Sequence, residues 1–152
     1  MPDLVETVAR VLALLGAEHA LVVHSGDGLD ELSLGAPNRV YEVRANGSTT
    51  VHQFTLDAAE LGLAPVPSDA VRGGTATENA ALIRRVLQGE PGPAREITLL
   101  NAAAALYAAD AAGSLGEGLA LAARSIDSGA ALARLEALVE LSNRLVETEV
   151  QV

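Results

Sequence analysis

Cysteine, lysine and tryptophan are all missing from this chain of 152 residues. Without cysteine there is no disulfide, no thiolate metal site and no thiol nucleophile. All 10 basic residues are arginine, which excludes Schiff-base chemistry and a P-loop lysine. Phe54, Tyr41 and Tyr107 are the whole aromatic complement, too few for a platform that stacks bases. Positive charge is scarce as well. The 20 acidic residues outnumber the basic ones and leave a net charge of −10. That field repels polyanions, and Arg84 and Arg85 are the one adjacent pair of cations, so nucleic acid is not an expected partner. No long apolar run is present. The most apolar stretch, Ala102 to Ala112, is short, alanine-rich and broken by Asp110, so no membrane span is expected. Asp3 and Glu6 stand where a secretory leader would be cationic, and the expected location is cytoplasmic.

What is present is enough for a core. Hydrophobic residues make up 49% of the chain and charged ones 20%, a balance that excludes disorder and fits one domain over residues 1–152. Leu4, Val8, Val11 or Leu12 and Leu15 fall at helical spacing ahead of Gly16. Ala20 to Val23 is a short apolar run that reads as a strand buried on both faces. Residues 39–55 read as a hairpin, because Asn46-Gly47 lies between two β-branched and aromatic stretches. Residues 58–74, with Pro65, Pro67 and several glycines, read as loop.

The rest is helical. Thr75 and Glu78 form a capping box before a helix ending at Gly89, and Ser114, with Glu117 three residues on, caps a helix running to Ser128. A helix is expected over 96–112 and another over 130–145, with Leu132, Leu135, Leu138, Val139 and Leu145 as its core stripe. The expected fold class is α/β, a partial mixed β-sheet with a β-hairpin and a helical C-terminal half.

Three segments could carry chemistry. The loop His24-Ser25-Gly26-Asp27-Gly28-Leu29-Asp30-Glu31 follows the apolar strand, and ligands of open α/β sheets bind beyond the carboxyl ends of parallel strands. Asp27, Asp30 and Glu31 suit a hard cation such as Mg²⁺, which takes one or two carboxylates plus substrate phosphates. The same residues also make a plain solvated acidic turn. Arg72-Gly73-Gly74-Thr75 opens a helix whose free N–H groups could hold an anion, or is simply a capped start. His19, His24 and His52 have no zinc spacing, and Ser25 beside His24 lacks the nucleophile-elbow pattern.

Several of these pieces, in order, resemble the anthranilate phosphoribosyltransferase family, in the C-terminal half of its catalytic domain. They are Ala20 to His24 followed by Asp27-Gly28-Leu29-Asp30-Glu31, then Leu61 to Leu63, Gly73-Gly74 with Glu78-Asn79-Ala80, Leu99 to Ala103, Glu117-Gly118 and Ile126 to Ala130. The resemblance implies a phosphoribosyltransferase or nucleoside-phosphorylase type of catalytic domain. It also implies transfer of phosphoribose from phosphoribosyl pyrophosphate to anthranilate in tryptophan biosynthesis, with Asp30 and Glu31 as ligands of Mg²⁺. A pyrimidine nucleoside phosphorylase relative fits less well, because the Asp-Gly-Leu-Asp-Glu run belongs to the anthranilate enzymes.

The family's N-terminal helical domain, its Gly-Thr-Gly-Gly-Asp phosphate loop, its Asn-x-Ser-Thr and Lys-His-Gly-Asn segments and its anthranilate-contacting arginine segment have no counterpart here. The residues that bind the substrates are therefore left unknown. The chain is expected to be inactive alone, and to expose sheet edge and apolar helix face that favour self-association or pairing with an N-terminal half. The alternative is a stand-alone non-catalytic domain. Asn79 and Asn101 read as structural helix residues.

Overall fold

A computed structural model describes residues 4–149. Among them, α1 (Leu4–Leu14) leads into a strand β1 (His19–Ser25), followed by the hairpin β2 (Asn38–Ala45) and β3 (Thr49–Leu56). Two short 3-10 turns, Ala58–Leu61 and Ser68–Val71, fill the stretch read as loop. Four helices complete the described chain: α2 (Ala76–Leu87), α3 (Pro93–Ala108), α4 (Leu115–Asp127) and α5 (Ala130–Glu149).

The sheet order is β1-β2-β3. The α/β class, the hairpin and the helical second half are as expected. The three strands, however, pair only antiparallel, with His19 opposite Arg44 and Ala45 opposite Thr49. No mixed ladder forms among the described residues. A parallel neighbour is usually reached through a crossover helix, and residues 26–37 between β1 and β2 contain none.

Strand periodicity sends alternate residues to opposite faces. Tyr41 and Val43 of β2 pack with Val5 and Ala9 of α1. Val40 packs with Leu32, Leu56, Ile97 and Leu100 on the α3 side. The sheet thus separates two cores. A third lies among α2, α3 and α4 around Val86, Leu99, Ala122 and Ile126. At Gly118 an added Cβ would sit 2.6 Å from the Ala103 carbonyl oxygen, so glycine lets α4 approach α3 closely.

Three expectations change. β1 is half-buried along most of its length rather than enclosed on both faces, because β2 covers only one of its edges. In α1 the buried residues are Val5 and Ala9, while Leu4, Val8, Val11 and Leu15 are exposed. This helix is apolar on two sides, so periodicity alone does not choose between them. In α5 the stripe read as core is largely outside: Leu132 and Leu135 are half-buried, but Leu138, Val139 and Leu145 are exposed. Helix α3 begins at Pro93, whose fixed φ suits a first turn, and stops before Asp110 at φ 54°.

Asp110 belongs to a polar cluster that ties the end of α3 to the sheet. The His19 side chain, 3% exposed, lies 3.1 Å from Glu42 Oε1 through Nε2 and 3.0 Å from Asp110 Oδ1 through Nδ1. The Tyr107 hydroxyl donates to Glu42 Oε1 at 2.8 Å. Arg44 donates to both carboxylates, at 3.0 and 3.2 Å. Burial pushes the Glu42 carboxyl up, but the bonds from Tyr107, Arg44 and His19 outweigh it and hold the group below its ordinary value.

Candidate functional site

The acidic loop between β1 and β2 divides its three carboxylates into two kinds. Asp27 is committed internally, accepting a 2.6 Å bond from the Ser33 hydroxyl. That bond lowers its pKa below the ordinary value. Asp30 and Glu31 are exposed, and among the described residues no hydrogen bond or ion pair engages either. Partial desolvation, and then the Asp30 charge beside it, push the Glu31 carboxyl up. Adjacent like charges behave this way when nothing positive lies between them.

The backbone on either side of this pair is pinned. Ser25 Oγ donates to the Leu29 carbonyl at 3.1 Å. Leu32 N–H donates to Asn101 Oδ1 at 2.9 Å, and Asn101 Nδ2 returns a 3.0 Å bond to the Leu32 carbonyl. Asn38 repeats the pairing one residue later, with Ser33 N–H to Oδ1 at 2.7 Å and Nδ2 to the Ser33 carbonyl at 3.0 Å. Leu32, Ser33 and Leu34 are buried, so these backbone groups need such partners. The next residue is Gly35, where an added Cβ would collide with the Val66 carbonyl oxygen. The loop is thus built into the body, with its two open carboxylates at the surface.

The other candidates come out differently. Ser25 is fully buried and bonded to Leu29, and as consecutive strand residues it and His24 face opposite ways. That removes the hydrolase reading. At the Gly73-Gly74 turn, Thr75 N–H and Oγ1 both donate to Glu78 Oε2, at 2.8 and 2.7 Å. Glu78 N–H donates back to Thr75 Oγ1. Asn79 holds Gly74 through both backbone groups, at 2.7 and 3.1 Å. The capping box is present in full, and these bonds lower the Glu78 pKa.

The pins Ser33, Asn38 and Asn101 were not legible as such, since each partner is remote or generic. The one available signal was an asparagine inside the alanine-rich α3, where it weakens the helix.

Among the described residues no group of three or more His, Asp or Glu side chains gathers to cage a metal. Asp30 and Glu31 supply only two carboxylates. That donor set suits a cation that keeps its waters and takes substrate phosphates for the rest. A divalent cation there would also offset the adjacent negative charges of the pair.

Residues 1–132 match the family described as "Glycosyl transferase family, a/b domain". The anthranilate phosphoribosyltransferase of Thermomicrobium roseum is 69% identical over 150 residues, 99% of this chain and 43% of the relative. That of Roseiflexus castenholzii is 52% identical over 143 residues, 93% of this chain and 42% of the relative.

The anthranilate phosphoribosyltransferase structure from Thermus thermophilus superposes with a TM-score of 0.81 at 42% identity, covering 92% of this chain and 40% of that one. The Saccharomyces cerevisiae enzyme in complex with PRPP and Mg gives 0.79 at 25% identity, covering 90% and 39%. This chain therefore spans about two fifths of the length of the relatives it matches. A match over most of the sequence, on a fold of the same shape, makes this chain a member of the glycosyl transferase family with that a/b domain.

Proposed function

We propose that this chain is the C-terminal portion of an anthranilate phosphoribosyltransferase and supplies the Mg²⁺ ligands Asp30 and Glu31 for transfer of phosphoribose from phosphoribosyl pyrophosphate to anthranilate, a step of tryptophan biosynthesis. The observation that carries the reading is the 69% identity to the Thermomicrobium roseum enzyme over 150 residues. The Mg-bound yeast structure supports the metal. When bound, the cation neutralises charge on the departing pyrophosphate, which lowers the barrier to leaving-group separation. Asp30 and Glu31 would hold and orient that charge, and the chain itself forms no covalent bond to substrate.

The phosphoribose and anthranilate contacts belong to segments with no match in these residues, including any that need lysine. Turnover accordingly requires a second polypeptide or a longer chain. The free edge of β1 and the exposed Leu4, Val8 and Leu14 of α1 are the surfaces that such a segment would cover. No helix among the described residues is long and apolar enough to cross a membrane, and a cytoplasmic location is part of this proposal.

The test follows anthranilate fluorescence with phosphoribosyl pyrophosphate and Mg²⁺, for this chain alone and co-expressed with the remaining three fifths of a relative. Signal loss in the mixture alone supports the proposal. Turnover by the chain alone would refute the need for the other segments. Silence in both would favour a non-catalytic domain.

A further inference from the structure

Asp30 and Glu31 occupy a span of only two residues between two fixed points. Behind them, the Leu29 carbonyl is held by Ser25 Oγ. Ahead of them, both backbone polar groups of Leu32 are held by one side chain, Asn101, which reaches the loop from the middle of α3, 69 positions along the chain. Leu32 is 1% exposed, so its N–H and carbonyl have little water to turn to if that side chain is lost. A third bond, from Asn101 Nδ2 to the Ile97 carbonyl at 3.0 Å, fixes the amide's orientation on its own helix. Asn101 is therefore not simply a helix residue, as its sequence position suggested.

We propose that Asn101 is a positioning residue for the Asp30–Glu31 pair, holding the Leu32 backbone so that both carboxylates are presented together to a divalent cation. The inference rests on the magnesium reading above for its purpose, and on the Leu32 bonds for its geometry. Two adjacent carboxylates repel each other. A free backbone would let them turn apart, whereas a backbone pinned on both sides cannot relax that way. Groups behind a ligand commonly govern metal affinity by this kind of orientation. Asn79 provides an internal control, because it makes the same two bonds to Gly74, in a turn whose nearby carboxylate, Glu78, is already bonded to Thr75.

The experiment uses the full 152-residue chain as wild type, Asn101→Ala, Asn101→Asp and Asn79→Ala. Asn101→Asp keeps the acceptor for Leu32 N–H and loses the donors, so it serves if the alanine variant fails to fold. Amide hydrogen exchange and ¹⁵N relaxation report the loop, and Mn²⁺ titration reports the metal.

Asn101→Ala is expected to lose at least about tenfold in Leu32 protection, which Asn101→Asp keeps with its acceptor, and in both variants order parameters at Asp30 and Glu31 are expected to fall below about 0.6 while β2 and β3 stay ordered. Mn²⁺ affinity is expected to fall roughly tenfold or more in Asn101→Ala and to stay unchanged in Asn79→Ala. The proposal is overturned if residues 30 and 31 keep their order in both Asn101 variants, or if they lose it with Mn²⁺ affinity unchanged. It is also overturned if Asn79→Ala weakens Mn²⁺ as much as Asn101→Ala. If wild type binds no Mn²⁺ while the Asn101 variants disorder residues 30 and 31, the magnesium reading fails and the positioning of the pair stands.

Discussion

Asn79 and Asn101 make the same pair of bonds in two different settings. Each accepts from a backbone N–H and donates to the carbonyl of the same residue, Gly74 in one case and Leu32 in the other. The first pair spans five positions and lies at the surface; the second spans 69 and holds a buried residue. Around Gly74, water can replace a lost partner. Around Leu32 it has little access, so the backbone groups must find protein partners or go without. The same amide chemistry is therefore optional in one loop and required in the other.

Removing each side chain in turn should separate the two loops most clearly. Asn101→Ala is expected to cost about 2–3 kcal/mol, as two backbone groups of a buried residue lose their partner. Asn79→Ala should cost about 0.5–1 kcal/mol, the usual net value of an exposed hydrogen bond. Urea unfolding of the two variants measures this, and equal midpoints would erase the distinction between the loops.

The glycines beside the two pins give the next test. Gly35→Ala drives a Cβ into the Val66 carbonyl, a backbone atom, and should cost about 2 kcal/mol by overpacking. At Gly74 the nearest atom to an added Cβ is Glu78 Oε2, 2.6 Å away at the end of a flexible side chain. That alanine variant should cost about 0.5 kcal/mol or less, since the carboxylate can shift. Thermal unfolding of the pair checks it.

Thr75→Ala removes the cap that the Gly74 turn presents to α2. It should destabilise by about 1 kcal/mol, with the loss of amide-exchange protection confined to α2 if the two loops are independent.

The smallest effects are electrostatic and opposite in sign within one loop. Asp27 titrates below its unfolded value of 3.8 in the folded chain, so it stabilises above that pH and loses the contribution as pH falls through its folded value. Glu31 titrates above its unfolded value of 4.5. Its ionised form therefore opposes folding at neutral pH, and the opposition disappears as pH falls below 4.5. Asp27→Asn should lower stability at pH 7. Glu31→Gln should raise it slightly at pH 7, solvent screening keeping the gain small, and change nothing near pH 3. Denaturation of both variants at the two pH values decides it.

Local features were the ones legible without a structure. Thr75 and Glu78 announce their capping box because both partners lie within one turn, and Asn46-Gly47 announces the hairpin because turn geometry demands a residue like Gly47 at φ 79°. Candidate carboxylates were legible by type, but not the division among them. That Asp27 accepts a bond from Ser33 while Asp30 and Glu31 stay unbonded depends on how residues 32–34 are buried. Neither was the His19–Glu42–Tyr107–Asp110 cluster legible, since its members are drawn from two strands and the end of a helix.

By itself the sequence determined the composition limits, the cap and turn positions, the helical second half and the family motifs, because each depends on residues close along the chain or on residue type alone. Only the tertiary structure decided which side of α1 is covered, that much of the α5 stripe faces outward, and that an asparagine in α3 holds the loop before β2. Those outcomes depend on which surfaces meet. A helix apolar on two faces, or an amide with two free hydrogen-bonding ends, carries no mark in the sequence of the partner it will find.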